Sequence, residues 1–279
     1  MLEHLNPEPR KPARVVVIGA AGFVGNAVAA RLERDGVPVL RVGRNDVDLA
    51  TADAAEKLSK IINATDAVVA AAAKAPVKDS AMLVDNMIMA RAMVRALASA
   101  SHVVNISSDA VYADSSGPLT ERSCAEPGSL HGAMHLAREV MFRAEVKAPL
   151  VILRPSLLYG AADPHNGYGP NRFRRLAAEG KEIVLFGEGE ERRDHVYIGD
   201  VAELVARVLY RRSTGVLNIA TGTVHSFREI AKRFSANVKG SPRSGPMPHN
   251  GYRPFDPAAT RAAFPDFRYT PLEEGLKRG

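Results

Sequence analysis

A chain of 279 residues, 46% hydrophobic and 24% charged, is long enough for one α/β domain with a large core plus a smaller lobe, and it holds no apolar run long enough to cross a membrane. Its single cysteine, Cys124, excludes an internal disulfide framework, and with no signal-peptide h-region at the N-terminus the expected location is a reducing cytoplasm. The formal net charge of +6 suits an anionic ligand, while scattered arginines without an RNA-binding motif give no support for nucleic acid.

In chain order, residues 1–12 are rich in proline and charge and are expected to form a loose tail. Four branched apolar residues, Val15 to Ile18, predict a buried parallel strand. Gly19, Gly22 and Gly25 follow, and an apolar-periodic helix opened by Phe23 and Val24 runs to about Arg34 before Gly36. Gly19 suits the tight turn out of the strand. Gly22 lets a pyrophosphate approach the backbone at the helix N-terminus, and Gly25 lets the helix pack closely on the sheet. Strand, glycines and helix in this order predict a dinucleotide site with contacts at Gly19, Gly22, Phe23, Val24 and Gly25.

Val37 to Val42 predicts a second strand. An acid at its tip would favour NAD, whereas Gly43-Arg44 stands there instead; NADP is therefore expected over NAD, with Asp46 two residues on as the counter-indication. Thr51 is expected to cap a helix through Ile62. Asp66 to Ala70 predicts a third strand running into AAAKAP, where small Ala71 and Ala72 let a flat cofactor lie against the backbone. A long helix is expected from Asn86 to Ala100 and a fourth strand from Val103 to Ile106. The alternation predicts a Rossmann-type, right-handed, doubly wound parallel sheet with a smaller C-terminal substrate lobe.

The spacing GxxGxxG resembles the fingerprint of the extended short-chain dehydrogenase/reductase superfamily, which includes nucleotide-sugar epimerases, dehydratases and reductases. RNDVDLATAD resembles the stretch in dTDP-4-dehydrorhamnose reductases whose Asp-Leu pair, here Asp48 and Leu49, lines the adenine pocket. VDNMIMARAMVRAL resembles the family helix that carries a cofactor-side asparagine, here Asn86. The segment from Ile106 to Phe142 resembles "S-S/T-D-x-V-Y-G" followed by "Y-G-x-S-K-x-x-x-E". The likeness implies Ser107 beside the cofactor, Ser108 as the catalytic Ser/Thr and Asp109 as the acid used by dehydratases; Gly132 and Glu139 match their places.

The two central residues differ. His131 stands for the acid–base tyrosine and His135 for the lysine. No tyrosine lies between Tyr112 and Tyr159 and no lysine between Lys78 and Lys147, so no shift of register restores them. Three readings stay open. His131 replaces tyrosine, with a charged His135 lowering its pKa. Alternatively, Asp109 with Ser108 moves the proton. In the third, the site is inactive and the chain is a nucleotide-binding regulatory or partner subunit, as the β subunit of methionine adenosyltransferase is among relatives. A metal at the histidine pair has no third ligand that can be named.

Leu150 to Leu153 predicts a fifth strand. LRPSLLYG resembles "LRPxxVYG", which sets Pro155 beside the nicotinamide. Asn171, Arg172 and Arg193 fall near residues that hold a nucleoside diphosphate in relatives; Asp200 is expected to cap the next helix. RPFDPAATRAAF resembles a C-terminal motif in which Arg253 is a second arginine on the nucleotide and Asp256 a structural or ribose contact. Gly240 to Gly251 is expected to be a flexible loop over the substrate lobe. The expected division is 13–160 with 195–222 for the dinucleotide, and 161–194 with 223–279 for the substrate. The resemblance implies hydride transfer at a carbon of a nucleotide-diphosphate sugar; a homodimer is one expected assembly.

Overall fold

The computed structural model describes residues 2–164, 166–243 and 245–278. The elements of its first half are β1 (Glu3–His4), β2 (Val15–Ile18), α1 (Phe23–Arg34), β3 (Val39–Val42), α2 (Ala54–Ile61), β4 (Ala67–Ala70), α3 (Ser80–Ala96), β5 (His102–Ile106) and α4 (Leu130–Glu145). The second half continues with β6 (Leu150–Pro155), β7 (Leu157–Tyr159), α5 (Pro170–Ala178), β8 (Ile183–Phe186), β9 (Arg192–Tyr197), α6 (Ile198–Tyr210) and β10 (Ser213–Ile219). It ends with β11 (Val224–Ser226), α7 (Phe227–Phe234), β12 (Val238–Ser241), β13 (Tyr252–Arg253), α8 (Ala258–Ala263) and α9 (Leu272–Lys277).

Seven strands form the main sheet in the order β1-β10-β6-β5-β4-β2-β3. All neighbours are parallel except the β1–β10 pair. The chain runs outward from β2 to β3 and then crosses back to β4, so the order reverses beside β2. That reversal opens a crevice at the carboxyl ends of the strands, where open α/β sheets bind ligands. Alternation along β2 serves two cores: Val15 and Val17 face α1 and α6, while Val16 and Ile18 face α2, α3 and α4. A third apolar cluster, including Tyr159, Phe173, Leu185, Phe227 and Ile230, joins α5, β8 and α7.

Several expected boundaries move for local reasons. The second strand begins at Val39 because Pro38 has no N–H to give. Thr51 does not cap α2; its hydroxyl donates to Asp48 O and Asp53 Oδ1, and the helix starts at Ala54. The long helix starts at Ser80 rather than Asn86, because the Asp79 side chain accepts from the Met82 N–H. Asp200 lies inside the first turn of α6, not at its cap, and accepts from the N–H and hydroxyl of Thr270, tying the C-terminal segment to the sheet.

The expected loose tail is docked. Glu3 and His4 pair with Thr214 and Ser213, and His4 bonds Ser213 Oγ at 2.8 Å and Ala263 O at 3.0 Å. The Asn6 and Arg10 N–H groups donate to Arg211 O and Tyr210 O. Ser244, within the expected Gly240–Gly251 loop, lies outside the described residues. The rest of that segment begins in β12 and ends in a short helical turn, where His249 bonds Asp114 at 2.6 Å.

Two buried histidines make stability depend on acid. His102 bonds Ser213 O at 2.8 Å, and burial pushes its pKa down to about 4. Burial likewise pushes His195 down to about 3. Below the unfolded value of about 6.5 the unfolded chain binds protons that the native chain refuses, so stability falls as pH drops from about 6.5 toward 4. We expect each histidine to contribute a loss on the order of 1–2 kcal/mol by about pH 5. Urea midpoints that stay constant between about pH 7 and pH 5 would contradict this.

Candidate functional site

Two adjoining cavities open at the crevice. The smaller, of about 250 Å³, lies over the ends of β2 and β3. The larger, of about 980 Å³, runs past α1 and α4 toward β9. Gly22 and Ala71 line both.

Backbone crowding explains the glycines. Gly19 has φ +88°, and a Cβ there would lie 2.6 Å from Ala72 N. A Cβ on Gly25 would lie 2.2 Å from Gly19 O. Gly22 differs: a Cβ there would meet only Gly19 O at 3.3 Å. Its open side faces the cavity at the N-terminus of α1, whose first turn carries no acidic residue. Backbone N–H groups and helix dipole there suit an anion such as a pyrophosphate. Phe23 and Val24 line the larger cavity, Ala72, Asp48 and Leu49 the smaller.

Arg44 also lines the smaller cavity, exposed and 3.2 Å from Asp48. The Ala50 N–H bond, helped by Arg44, holds the Asp48 carboxyl below its usual range. Asp46 turns back to accept the Gly43 N–H at 2.7 Å, so its carboxylate braces the loop. Asn86 does not reach into the cavity as expected. It is buried, accepts from the Lys74 N–H and donates to Lys74 O and Met82 O. It therefore holds the loop after β4 in shape. Ser107 lines the larger cavity, but its hydroxyl donates to Glu139 at 2.6 Å, inside a buried network with Arg154. Pro155 lines the same cavity at the end of β6.

Sequence reasoning missed Arg138. It is fully buried under the cofactor side of the sheet and donates to Ala70 O, Ala72 O and Asn105 Oδ1. Burial lowers its pKa to about 10. An arginine amid LAREV looks like any helix-surface residue, so only tertiary structure identifies it.

Ser108 and Asp109 meet His131 and His135 in the larger cavity. Ser108 Oγ accepts from Ala110 N–H and lies 3.4 Å from Asp109 Oδ1. Gly132 brings α4 onto this turn: a Cβ there would sit 2.0 Å from Ala110 O. The two imidazoles lie 4.7 Å apart at 89°. Burial lowers the pKa of His131, opposed by Asp109. Burial, then His131 and Arg138, hold His135 well below the ordinary value. The expected charged His135 is thus a neutral one, with Nδ1 buried and without a partner among the described residues. Tyr112 offers no substitute phenol, because its hydroxyl bonds Asn218 and Arg154.

The expected diphosphate ligands are mostly occupied or elsewhere. Arg253 is 1% exposed and engages Asp109, Asp114 and backbone carbonyls. Asn171 is buried, accepting from Gly160 N–H and donating to Asp163. Arg172 is exposed and does not line either cavity. Asp256, expected as a structural or ribose contact rather than a diphosphate ligand, accepts the Ala258 N–H at the start of α8. Arg193 alone of this set lines the larger cavity.

The sequence model of the NAD dependent epimerase/dehydratase family matches residues 15–220. The chain is 33% identical over 144 residues to dTDP-L-rhamnose 4-epimerase of Burkholderia thailandensis, a match covering 46% of this chain and only 40% of that protein. Its fold is similar to GDP-L-fucose synthetase of Naegleria fowleri, with a TM-score of 0.85, 18% identity, and 99% and 95% of the two chains covered. That synthetase is also solved bound to NADP. It is likewise similar to UDP-N-acetylglucosamine 4-epimerase of Methanobrevibacter ruminantium, with a TM-score of 0.80, 21% identity, and 96% and 97% covered.

The crowding separates two roles among the glycines. Gly22→Val should abolish dinucleotide binding in calorimetry while leaving the fold intact. Gly25→Ala should instead lower thermal stability sharply, because its methyl meets backbone. Wild-type cofactor affinity in Gly22→Val would move the site elsewhere.

Proposed function

The chain belongs to the NAD dependent epimerase/dehydratase family, and on that premise we propose that it moves a hydride between NAD(P) and a carbon of a sugar-type substrate, with His131 handling the proton. The observation that carries this reading is the half-buried imidazole of His131, its pKa lowered by burial, in the same cavity as Ser108 and the glycine loop. The expected substrate of the family type, a nucleotide-diphosphate sugar, finds support in the ligand named for the Methanobrevibacter epimerase, UDP-N-acetylmuramic acid.

The cavity suits the dinucleotide on its own geometry. Gly22 and the N-terminus of α1 would take the pyrophosphate, and Ala71 and Ala72 the flat rings. Arg44, exposed at the tip of β3, would meet a 2′-phosphate. When bound, the nicotinamide accepts or supplies the hydride. In the oxidative direction the substrate hydroxyl gives its proton to the neutral His131 as the carbon's hydride departs; in the reverse direction the protonated ring returns it. Ser108 would hydrogen-bond the reacting oxygen. Asp109 is the weaker candidate for the proton, since Arg253 lies at 3.1 Å and Arg193 at 3.6 Å from its carboxylate.

His131→Ala should lower turnover by about 10²–10⁴-fold with little change in cofactor affinity. Full turnover of this variant on an identified substrate would remove His131 from the chemistry. His131→Tyr should not rescue it, because no lysine stands one turn on. For the cofactor, side-by-side titrations should favour NADP over NAD, and Arg44→Ala should erase the preference. A wild-type preference for NAD would refute the role given to Arg44.

A further inference from the structure

One face of α4 carries His131, His135 and Arg138, spaced so that the three side chains succeed one another along the helix. The two imidazoles pack edge to face, with ring centres 4.7 Å apart. Rings this close titrate as a pair, because a proton on one repels a proton on the other. The chemistry then depends on which ring takes the first proton.

The two ends of the pair differ. His131 is half-buried, lines the larger cavity and feels the Asp109 carboxylate. His135 is buried, and its Nδ1 has no partner among the described residues. A protonated His135 would leave an N–H there without an acceptor. Beyond it lies the buried Arg138. Its Nε donates to Asn105 Oδ1 at 2.9 Å, and its terminal nitrogens donate to Ala72 O at 2.6 Å and Ala70 O at 2.7 Å. None of these partners is a carboxylate, so the guanidinium charge is not cancelled. The neighbouring Glu139 is taken up by Arg154 at 2.6 Å and Arg143 at 2.9 Å.

The other charged groups near α4 are paired or exposed. From α3 come Asp85, 2.6 Å from Lys74, and the exposed Arg91 and Arg95. At the cavity end Asp109 is shared with Arg253 at 3.1 Å and Arg193 at 3.6 Å, which weakens its pull on His131. The asymmetry therefore rests chiefly on the burial of His135 and on Arg138, and both hold the His135 pKa down. Resting on the hydride-transfer reading above, we propose that Arg138 is a positioning residue whose fixed charge polarises the histidine pair, so that the proton leaving the substrate hydroxyl stays on His131 and does not pass to His135. Held there, the proton remains at the cavity wall, where the return step needs it. An uncharged residue at position 138 would let His135 compete for the proton. A charged His135 would then oppose proton uptake by its neighbour.

The test is an NMR titration of the full-length protein, isotope-labelled in its histidine rings, from about pH 8 down to the acid limit of the fold. No substrate is present, and His131→Gln and His135→Gln assign the resonances. In the wild-type protein His131 should protonate before His135. The reverse order overturns the proposal, and this arm needs no variant at position 138. In Arg138→Gln, which removes the charge, the His135 midpoint should rise by on the order of 1 pH unit. Arg138→Lys also loses the forked contacts but keeps the charge, and should leave His135 neutral over the same range. Identical titrations in the two variants would reduce Arg138 to a structural part and overturn the proposal. On an identified substrate, the acid limb of kcat should move to higher pH in Arg138→Gln and stay in place in Arg138→Lys. Because the titration is read without substrate, it decides the proposal even where full turnover of His131→Ala has failed the hydride-transfer reading.

Discussion

Three stretches of backbone meet where β2 ends, and the crevice exists because nothing but hydrogen stands between them. Gly25 on α1 and the carbonyl of Gly19 are too close for a methyl group, and Gly19 in turn presses on Ala72. This contact fixes the angle at which α1 leaves the sheet and the distance between β2 and β4. The floor of the dinucleotide cavity and the direction of the helix dipole follow from it. Gly22, by contrast, leaves the space open on the side a ligand would use.

Buried arginines then shape what the glycine contact opens. Arg138 satisfies two carbonyls at the end of β4, and its charge helps keep His135 neutral. Arg154 and Glu139 join β6 to α4 behind Ser107. Arg253 joins the C-terminal segment to the turn that carries Asp109. Each is held by several partners, as a buried charge must be. An ammonium could not make these forked contacts, so the site is organised by guanidinium groups on its inner wall, with the imidazoles of His131 and His135 lining the larger cavity.

The central strands and the glycine loop were legible in the sequence because their causes are local. A parallel strand covered on both faces is a continuous apolar run, Gly25 is crowded by Gly19 only six positions back, and Gly19 needs its positive φ for the turn out of the strand, although its crowding by Ala72 is a tertiary contact. The roles of Arg253, Asn86 and Ser107 were not legible. Each side chain can reach a ligand or turn inward, and the choice depends on Asp109, Lys74 and Glu139, which come near only in the folded chain. Arg138 gave no signal for the same reason. His131 and His135 were visible as departures from a pattern, but their neutrality comes from burial, which the residue spacing does not reveal.

The short strand at the N-terminus has a consequence for how the molecule behaves among its own copies. A sheet edge is a row of unused donors and acceptors on which another strand can grow. Here β1 covers part of the β10 edge with only two residues, and Pro7, Pro9 and Pro12 follow in the next turns of chain. Proline has no N–H to offer, so the covering strand is a poor template for a further one. The segment whose composition suggested a loose tail is a stopper, and removing it would leave β10 open to pairing between molecules.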